Sequence, residues 1–160
     1  MHKLKQDLAA MLMAKSYIKG EVTLSSGKKS DYYFDCKQTA LDPKGAYLLG
    51  RLFLETLKGC DIHGVGGMTL GADPLVCAAV VLSHLEKRPL PGFIVRKEPK
   101  GHGTNRYLEG MANFRPGAKV ALLEDVVTTG GTVSECAAAL RRAGAAEVDV
   151  FAAALAVPGP

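Results

Sequence analysis

The chain has 160 residues, of which 48% are hydrophobic and 22% charged, and it carries a formal net charge of +4. These values are ordinary for a soluble globular protein and predict a single domain spanning residues 1–160. The longest nearly apolar run, Pro74 to Leu82, is far shorter than the roughly 20 residues that cross a membrane, so no membrane partner is expected.

Positive charge is concentrated in one segment of the chain. Six of the 20 lysines and arginines fall between Lys87 and Arg106, together with a single acid, Glu98. Such a segment indicates a polyanionic small ligand or a nucleic acid. We expect no nucleic acid partner, because the segment is short, rich in glycine and nearly free of the aromatic residues that stack on bases.

The four cysteines are widely scattered and include no Cys-x-x-Cys pair. Most of them lie within apolar patterns, which is typical of small buried residues. The first residues of the chain are charged and lack the continuous apolar stretch of a secretory signal. Together these observations predict a protein of the reducing cytoplasm.

Residues 1–40 are predicted to form a helix followed by a hairpin. Apolar residues recur at helical spacing over residues 3–14, and Gly20 is expected to end this region. From residue 21 to residue 39 short apolar runs flank a polar turn that contains Gly27, which is typical of a β-hairpin.

Helices and strands are predicted to alternate from residue 41 to residue 160. The pair Asp42-Pro43 has the chemistry of a capped helix start, and Gly59 is expected to end that helix. The remaining predicted elements are a strand over 62–65, a helix over 71–85, a strand over 93–95, a mobile loop over 99–110, a strand from 120, a helix ending at 142 and a strand over 148–157. This alternation predicts an α/β fold with an open, mainly parallel sheet and helices on both faces, to which the N-terminal hairpin adds a small hood.

The stretch from Val120 to Thr132 is the most informative part of the chain. It begins as a strand buried on both faces, and two acids, Glu124 and Asp125, stand where the apolar run ends. Two glycines and three threonines then lead into a helical pattern. Backbone N–H groups and hydroxyls gathered at a helix N-terminus predict a phosphate-binding loop. The acids would repel phosphate, so they are predicted to serve sugar hydroxyls or Mg²⁺.

Three strand ends are predicted to face one ligand, because ligands of such sheets bind beyond the carboxyl ends of the strands. The segments are Gly64–Leu70, Arg96–Gly103 and Glu124–Thr132. They offer flexible backbone, cations, and a phosphate loop with two acids. This combination fits a molecule with a monophosphate, a hydroxylated sugar and a pyrophosphate, namely 5-phosphoribosyl 1-pyrophosphate (PRPP).

Plainer interpretations of these segments stay open at this point. The glycines at 64, 66 and 67 match part of a dinucleotide-binding fingerprint, but that motif requires glycine where Thr69 stands. The Gly-Lys-Ser/Thr of a Walker A loop is absent. The run from Arg96 to His102 also fits a solvated charged loop, and the acid pair fits a capped turn with two solvated carboxylates.

Three segments resemble those of one enzyme family. Residues 124–132 resemble the PRPP motif of type I phosphoribosyltransferases. Residues 96–103 are similar to the mobile catalytic loop of the orotate phosphoribosyltransferases in that family, and residues 26–35 are similar to their hairpin. The likeness runs in order from about residue 17 to residue 150.

The resemblance implies a function and a set of site residues. The expected reaction transfers the 5-phosphoribosyl group from PRPP to orotate, giving orotidine 5′-monophosphate and pyrophosphate. The implied cofactor is Mg²⁺, held mainly through PRPP, and the implied assembly is a homodimer whose basic loop reaches the neighbouring site. The implied catalytic residues are Lys100, His102 and Asp125, and the implied orotate-binding residues are Thr128, Tyr33 and Phe34. The implied PRPP-binding residues are Arg96, Lys97, Lys100, His102, Glu124, Asp125, Val126, Val127, Thr128, Thr129, Gly130, Gly131 and Thr132.

The chain also departs from the family pattern. Ser25 stands where some members have lysine, and Thr69-Leu70 stands where some have a tyrosine–lysine pair. The stretch Ala154 to Pro160 lacks the Asp-Arg pair that usually follows the last strand, which is expected of a divergent, shortened or altered C-terminus. Two alternatives therefore stay open: a type I transferase for another base, and a non-catalytic PRPP-binding protein.

Overall fold

The computed structural model describes residues 1–23, 27, 29–98, 107–127 and 130–155. The helices in these residues are α1 (His2–Lys15), α2 (Lys37–Ala40), α3 (Pro43–Thr56), α4 (Asp73–Leu85) and α5 (Gly131–Arg142), with a short 3-10 helix at Met111–Asn113. The strands are β1 (Tyr17–Thr23), β2 (Lys29–Phe34), β3 (Gly64–Met68), β4 (Gly92–Val95), β5 (Leu108–Glu109), β6 (Lys119–Val127) and β7 (Glu147–Leu155). None of the helices in the described ranges is long and apolar enough to span a membrane.

A five-stranded sheet in the order β5-β4-β3-β6-β7 forms the centre of the protein. Strands β4, β3, β6 and β7 run parallel, and β5 joins the edge of β4 antiparallel. Helix α4 links β3 to β4 and helix α5 links β6 to β7, because a parallel connection must cross back over the sheet. The predicted open, mainly parallel α/β sheet is confirmed.

Successive side chains of each strand point to opposite faces of the sheet, and each face is covered. On one face Ala121 and Leu123 pack into a cluster with residues of α1, α3 and α4. On the other face Val120 and Leu122 pack against α5, where Leu140 is fully buried. The predicted helices on both faces are therefore present.

The hairpin of β1 and β2 forms a separate antiparallel sheet, as predicted, and is attached to the core near its base. The Asp35 N–H donates to the Ser16 carbonyl at 2.9 Å. The Ser16 and Thr39 hydroxyls are hydrogen-bonded to each other at 2.7 Å and are fully buried. Asp42 begins α3, accepting from the N–H groups of Lys44 and Gly45 with proline at the first helical turn, as its sequence predicts.

The predicted position of the first core strand is wrong. The strand was predicted over residues 62–65, and β3 instead spans Gly64–Met68, so it runs through Gly66 and Gly67. They are required by close packing: a Cβ on Gly66 would lie 2.2 Å from the Phe93 ring, and a Cβ on Gly67 would lie 2.4 Å from the Leu123 carbonyl oxygen. Glycine here permits close approach within a buried sheet.

Two further boundaries differ from prediction. The hairpin begins at Tyr17 rather than at residue 21, because Gly20 lies within an irregularity of the strand pairing instead of ending a helix. Residues 108–109, predicted as loop, pair with β4 and continue the sheet.

Candidate active site

The carboxyl ends of β3, β4 and β6 lie side by side. The Thr69 N–H, directly after β3, donates to the Val95 carbonyl at the end of β4 at 2.9 Å. Strand β6 lies on the other side of β3, in parallel register with it. The three segments predicted to share one ligand therefore begin next to one another in the described part of the chain.

The two acids end β6 in different environments. Glu124 is buried, with 8% of its surface exposed, and its Oε2 has no hydrogen-bond partner among the described residues. Burial, followed by the neighbouring Asp125 carboxyl, raises the pKa of Glu124 to about 7. Asp125 is half-buried, and its Oδ1 accepts from the Val126 N–H at 2.8 Å. Glu124 is thus easily protonated near neutral pH, whereas the Asp125 carboxylate is held in place by a backbone hydrogen bond.

The loop between β3 and α4 packs directly against the second acid. A Cβ on Gly71 would lie 2.9 Å from the nearest Asp125 carboxylate oxygen, so only a residue without a side chain fits there without displacement. Thr69 turns away from the acids, since its hydroxyl donates to the Asp73 carboxylate at 2.9 Å. This loop contributes backbone to the site but no cation.

The N-terminus of α5 lies next in the chain after the acids. Gly130 precedes the helix with a φ of 80°, which favours glycine, and Gly131 and Thr132 are exposed in its first turn. No side chain caps this helix end in the described residues, so its first N–H groups are available to an anion. Val126 and Val127 complete β6 as half-buried residues, and Thr128 and Thr129 lie outside the described residues.

The predicted cations lie beyond β4. The Arg96 N–H donates to the Tyr107 carbonyl at 2.7 Å, and the Arg96 guanidinium is paired with Glu109 at 3.4 Å. Lys97 is exposed. Lys100 and His102 lie outside the described residues, and so does Ser25 of the hairpin turn.

The hairpin presents the residues predicted to face the base. Tyr33 is 38% exposed near the end of β2, and Phe34 packs partly buried against the core cluster that includes α1 and α3. Their environments differ, so the exposed ring of Tyr33 is the one free to meet a ligand.

The structure adds a group that sequence reasoning missed, the segment Asp35-Cys36-Lys37 after the hairpin. The Lys37 ammonium is bonded to the Asp35 carboxylate at 2.7 Å. Burial, then the negative charges of Asp125 and Asp35, raise the pKa of the Cys36 thiol to about 12. The segment therefore lies within electrostatic reach of the acid pair. Only its position directly after the hairpin motif hinted at a role.

The donor groups suit a metal carried by a ligand better than a resident metal. Within the described residues no group of three or more His, Cys, Asp or Glu side chains could hold a metal ion. The buried, unpartnered Oε2 of Glu124 and the Asp125 carboxylate still offer oxygen donors of the type that Mg²⁺ prefers.

The chain is similar to known proteins in both sequence and structure. No protein-family model matches the chain. The chain is 50% identical over 141 residues to an orotate phosphoribosyltransferase of Thermosynechococcus vestitus, covering 88% of this chain and 74% of that protein. It superposes on a Mycobacterium tuberculosis orotate phosphoribosyltransferase in complex with Fe(III) dicitrate with a TM-score of 0.81 and 36% identity, covering 98% of this chain and 86% of the other. A structure of the Mycobacterium tuberculosis enzyme in complex with PRPP gives a TM-score of 0.74 at 32% identity, covering 95% and 83% of the two chains.

Proposed function

Because the chain belongs to the orotate phosphoribosyltransferase family, we propose that it transfers the 5-phosphoribosyl group from PRPP to orotate. The products are orotidine 5′-monophosphate and pyrophosphate. The observation that carries the proposal is the acid pair at the end of β6, with Glu124 buried and Asp125 half-buried, between the N-terminus of α5 and the loop after β3. Residues 1–160 act as one domain, with 1–40 as a hood over the core of 41–160.

Each part of PRPP has a matching part of the site. The 5′-phosphate binds at residues 126–132, where the first N–H groups of α5 and the positive end of its dipole favour an anion. The ribose hydroxyls donate to Glu124 and Asp125. The pyrophosphate, attached to C1, extends away from α5 towards the cations Arg96, Lys97, Lys100 and His102.

The acids and cations act on the charges that develop during the reaction. The C1–oxygen bond breaks, the bonding electron pair leaves with pyrophosphate, and positive charge develops on the ribose. Asp125 holds the ribose and lies near that charge, while Lys100, His102 and Arg96 stabilise the leaving group. The orotate ring nitrogen then bonds to C1 and loses its proton. Water must be excluded from the site, because it would otherwise compete as the nucleophile.

Mg²⁺ fits this site as an ion bound mainly through PRPP. When bound, it neutralises pyrophosphate charge and so favours departure of the leaving group. Glu124 and Asp125 would meet it beside the ribose. The free cysteines of the described residues suit the reducing cytoplasm in which we place the enzyme.

The acceptor is assigned to the space between the hood and the end of β6. Tyr33, Phe34 and Thr128 would border the pyrimidine, with the exposed Tyr33 as its aromatic wall. The deciding experiment incubates the protein with PRPP, Mg²⁺ and one base at a time, and follows pyrophosphate release. Release that requires orotate is the expected result. Release with another base only would support the alternative transferase, and PRPP binding without release would support the non-catalytic alternative.

The role of the loop cations is tested with one loop variant and one control variant. Lys100→Ala is expected to lower kcat by about 100-fold or more, as loss of a transition-state donor does elsewhere. Lys3→Ala, which changes a lysine in α1, serves as the control and is expected to retain turnover. Near-normal turnover by Lys100→Ala would remove the leaving-group role from the loop.

We assign the homodimer contact to an apolar groove of about 720 Å³ between α2, α3 and α4. Leu41, Tyr47, Leu70 and Val81 line it and are 72%, 51%, 68% and 59% exposed. Apolar side chains this exposed favour burial against a second subunit. Leu70 also belongs to the loop that touches the acid pair, so a partner seated in the groove lies close to the site entrance.

Two measurements test this assignment. Val81→Asp is expected to convert dimers to monomers in sedimentation experiments, whereas Lys58→Asp, at the end of α3, is expected to leave them intact. Mixing inactive Lys100→Ala with inactive Asp125→Asn is expected to restore about a quarter of wild-type activity, because a mixed dimer has one intact composite site. No restoration would mean that each loop serves its own subunit.

A further inference from the structure

Lys37 is a cation that stands where the hood meets the core. It is the first residue of α2, directly after the hairpin, and its ammonium is held by Asp35 at 2.7 Å. About 37% of its side chain is exposed in the single subunit. Lys37 also lines the groove assigned above to the second subunit, together with Leu70 and Asp73.

These neighbours place Lys37 on one particular side of the acid pair. Leu70 and Asp73 flank Gly71, which packs against the Asp125 carboxylate, and α5 contributes no residue to the groove. Lys37 is therefore on the side of the β3–α4 loop, away from the proposed 5′-phosphate position. Hydrogen bonding to Asp35, followed by the charges of Asp35, Tyr33 and Asp125, raises the pKa of Lys37 despite its partial burial.

Negative charge dominates this side of the site. The Asp125 carboxylate borders the loop, and the buried Oδ1 of Asp73 has no hydrogen-bond partner among the described residues. The loop itself, Thr69-Leu70-Gly71-Ala72, contains no cation. The cations assigned above to the pyrophosphate follow β4, so a pyrophosphate group on this side would still be repelled by both acids unless a positive charge also came from the hood.

We propose that Lys37 supplies that charge. Its ammonium gives up its bond to Asp35 and binds the pyrophosphate group of PRPP and, in the reverse reaction, free pyrophosphate. The proposal rests on the proposed function for the identity of the ligand. It makes the hood–core junction a binding element for the leaving group as well as for the base. A flexible four-carbon stem lets the ammonium exchange a carboxylate partner for a phosphate oxygen with little rearrangement of α2.

The test compares Lys37→Met with two matched variants. Lys37→Met keeps the stem and removes the charge. Lys58→Met makes the same change at a lysine that is also paired with an acid, Glu55 at 2.6 Å, but lies at the end of α3. Asp35→Asn removes the partner's charge while its side-chain oxygen still accepts from the Lys37 N–H.

The expected result is a rise of about 10-fold or more in the KM for PRPP and for pyrophosphate in Lys37→Met, because a charge-assisted hydrogen bond is lost. The KM values for orotate and orotidine 5′-monophosphate stay unchanged, as do all values for Lys58→Met. Asp35→Asn frees the ammonium, so its KM for PRPP stays level or falls. Lys37→Arg restores most of the lost affinity.

Three results would overturn the proposal. They are unchanged KM values for PRPP and pyrophosphate in Lys37→Met, a change confined to orotate, or an Asp35→Asn variant that reproduces the Lys37→Met defect. The last would show that the ion pair only holds α2 in place. If the wild type releases no pyrophosphate with any base, the proposed function fails separately, and calorimetric titration of wild type and Lys37→Met with pyrophosphate and Mg²⁺ still decides the role of Lys37.

Discussion

Ionisation of Glu124 is expected to make the folded protein less stable as the pH rises. Burial and the adjacent Asp125 raise the pKa of Glu124 from 4.5 to about 7. Between these values the folded protein binds more protons than the unfolded chain, so the free energy of unfolding falls as pH increases through this window. A shift of this size corresponds to a loss of up to about 3 kcal/mol, complete only above the folded-state pKa.

Glu124→Gln is expected to remove this pH-dependent loss. Glutamine has nearly the same shape and no charge, and any cost of burying its amide does not vary with pH. Urea-induced unfolding of the wild type and the variant at about pH 5 and about pH 8 gives the two stability differences. The variant is expected to gain about 2–3 kcal/mol relative to the wild type between the lower and the higher pH.

The control for this experiment is Glu135→Gln, which makes the same chemical change at an exposed position of α5. Its stability relative to the wild type is expected to be the same at both pH values. If Glu124→Gln shows no pH-dependent gain either, the buried carboxylate does not destabilise the fold and the reasoning from its burial is refuted. The stabilised variant is also expected to bind PRPP more weakly, since it lacks a carboxylate acceptor for the ribose hydroxyls.

Three other substitutions test the packing around the site. Gly71→Ala is expected to lower kcat/KM by about 100-fold while leaving the unfolding midpoint nearly unchanged, because its methyl displaces the Asp125 carboxylate by a fraction of an ångström to about 1 Å. Gly66→Ala is expected to destabilise the fold by about 1–3 kcal/mol or more in urea unfolding, since a core aromatic ring occupies the space. Ser16→Ala is expected to cost about 1–3 kcal/mol by leaving the buried Thr39 hydroxyl unpaired, and the Ser16→Ala/Thr39→Val double variant should cost less than the sum of the two single changes.

Much of the architecture could be predicted because it depends on local chemistry. Alternating apolar runs and amphipathic stretches predicted the parallel sheet with helices on both faces. Asp42 followed by proline predicted the start of α3, and its carboxylate accepts from two N–H groups of the first turn. The end of α5 was predicted in the same way, since Gly144 follows it with a φ of 100° and donates its N–H to the Arg141 carbonyl.

The elements that were missed depend on contacts distant in sequence. Glycine is unfavourable in a strand when considered alone, so the strand was predicted to end at Val65, before Gly66 and Gly67. Its glycines are explained by residues that the fold brings against them, such as Phe93 beside Gly66 and the Leu123 carbonyl beside Gly67. Strand β5 has two residues and forms because the edge of β4 is open to it. No local pattern encodes either contact.

The candidate site also has features that could be predicted from the sequence and features that could not. The position of Glu124 and Asp125 could be predicted because they end an apolar run, and parallel strands place such ends at one edge of a sheet. The burial of Glu124 could not, since it depends on how neighbouring elements close over the strand end. Lys37 gave only the weak signal of its position directly after the hairpin motif, because the hood and the acid pair are about 90 residues apart and meet only in the folded protein.

The glycines of β3 and of the loop after it explain how the strand and the loop come to pack against the acid pair. Gly67 lets the strand lie against the Leu123 carbonyl, and Gly71 lets the loop touch Asp125. A side chain at either position would hold the loop away from the acids and open a gap that water could fill. The glycines lower the intrinsic β-propensity of the strand, and burial of Glu124 leaves the site with a carboxyl group that is readily protonated. Both are stability losses located where the proposed ligand binds. A ligand that places hydroxyls on Glu124 and a cation beside Asp125 would therefore return part of that stability, so the protein should unfold at a higher temperature with PRPP and Mg²⁺ than alone.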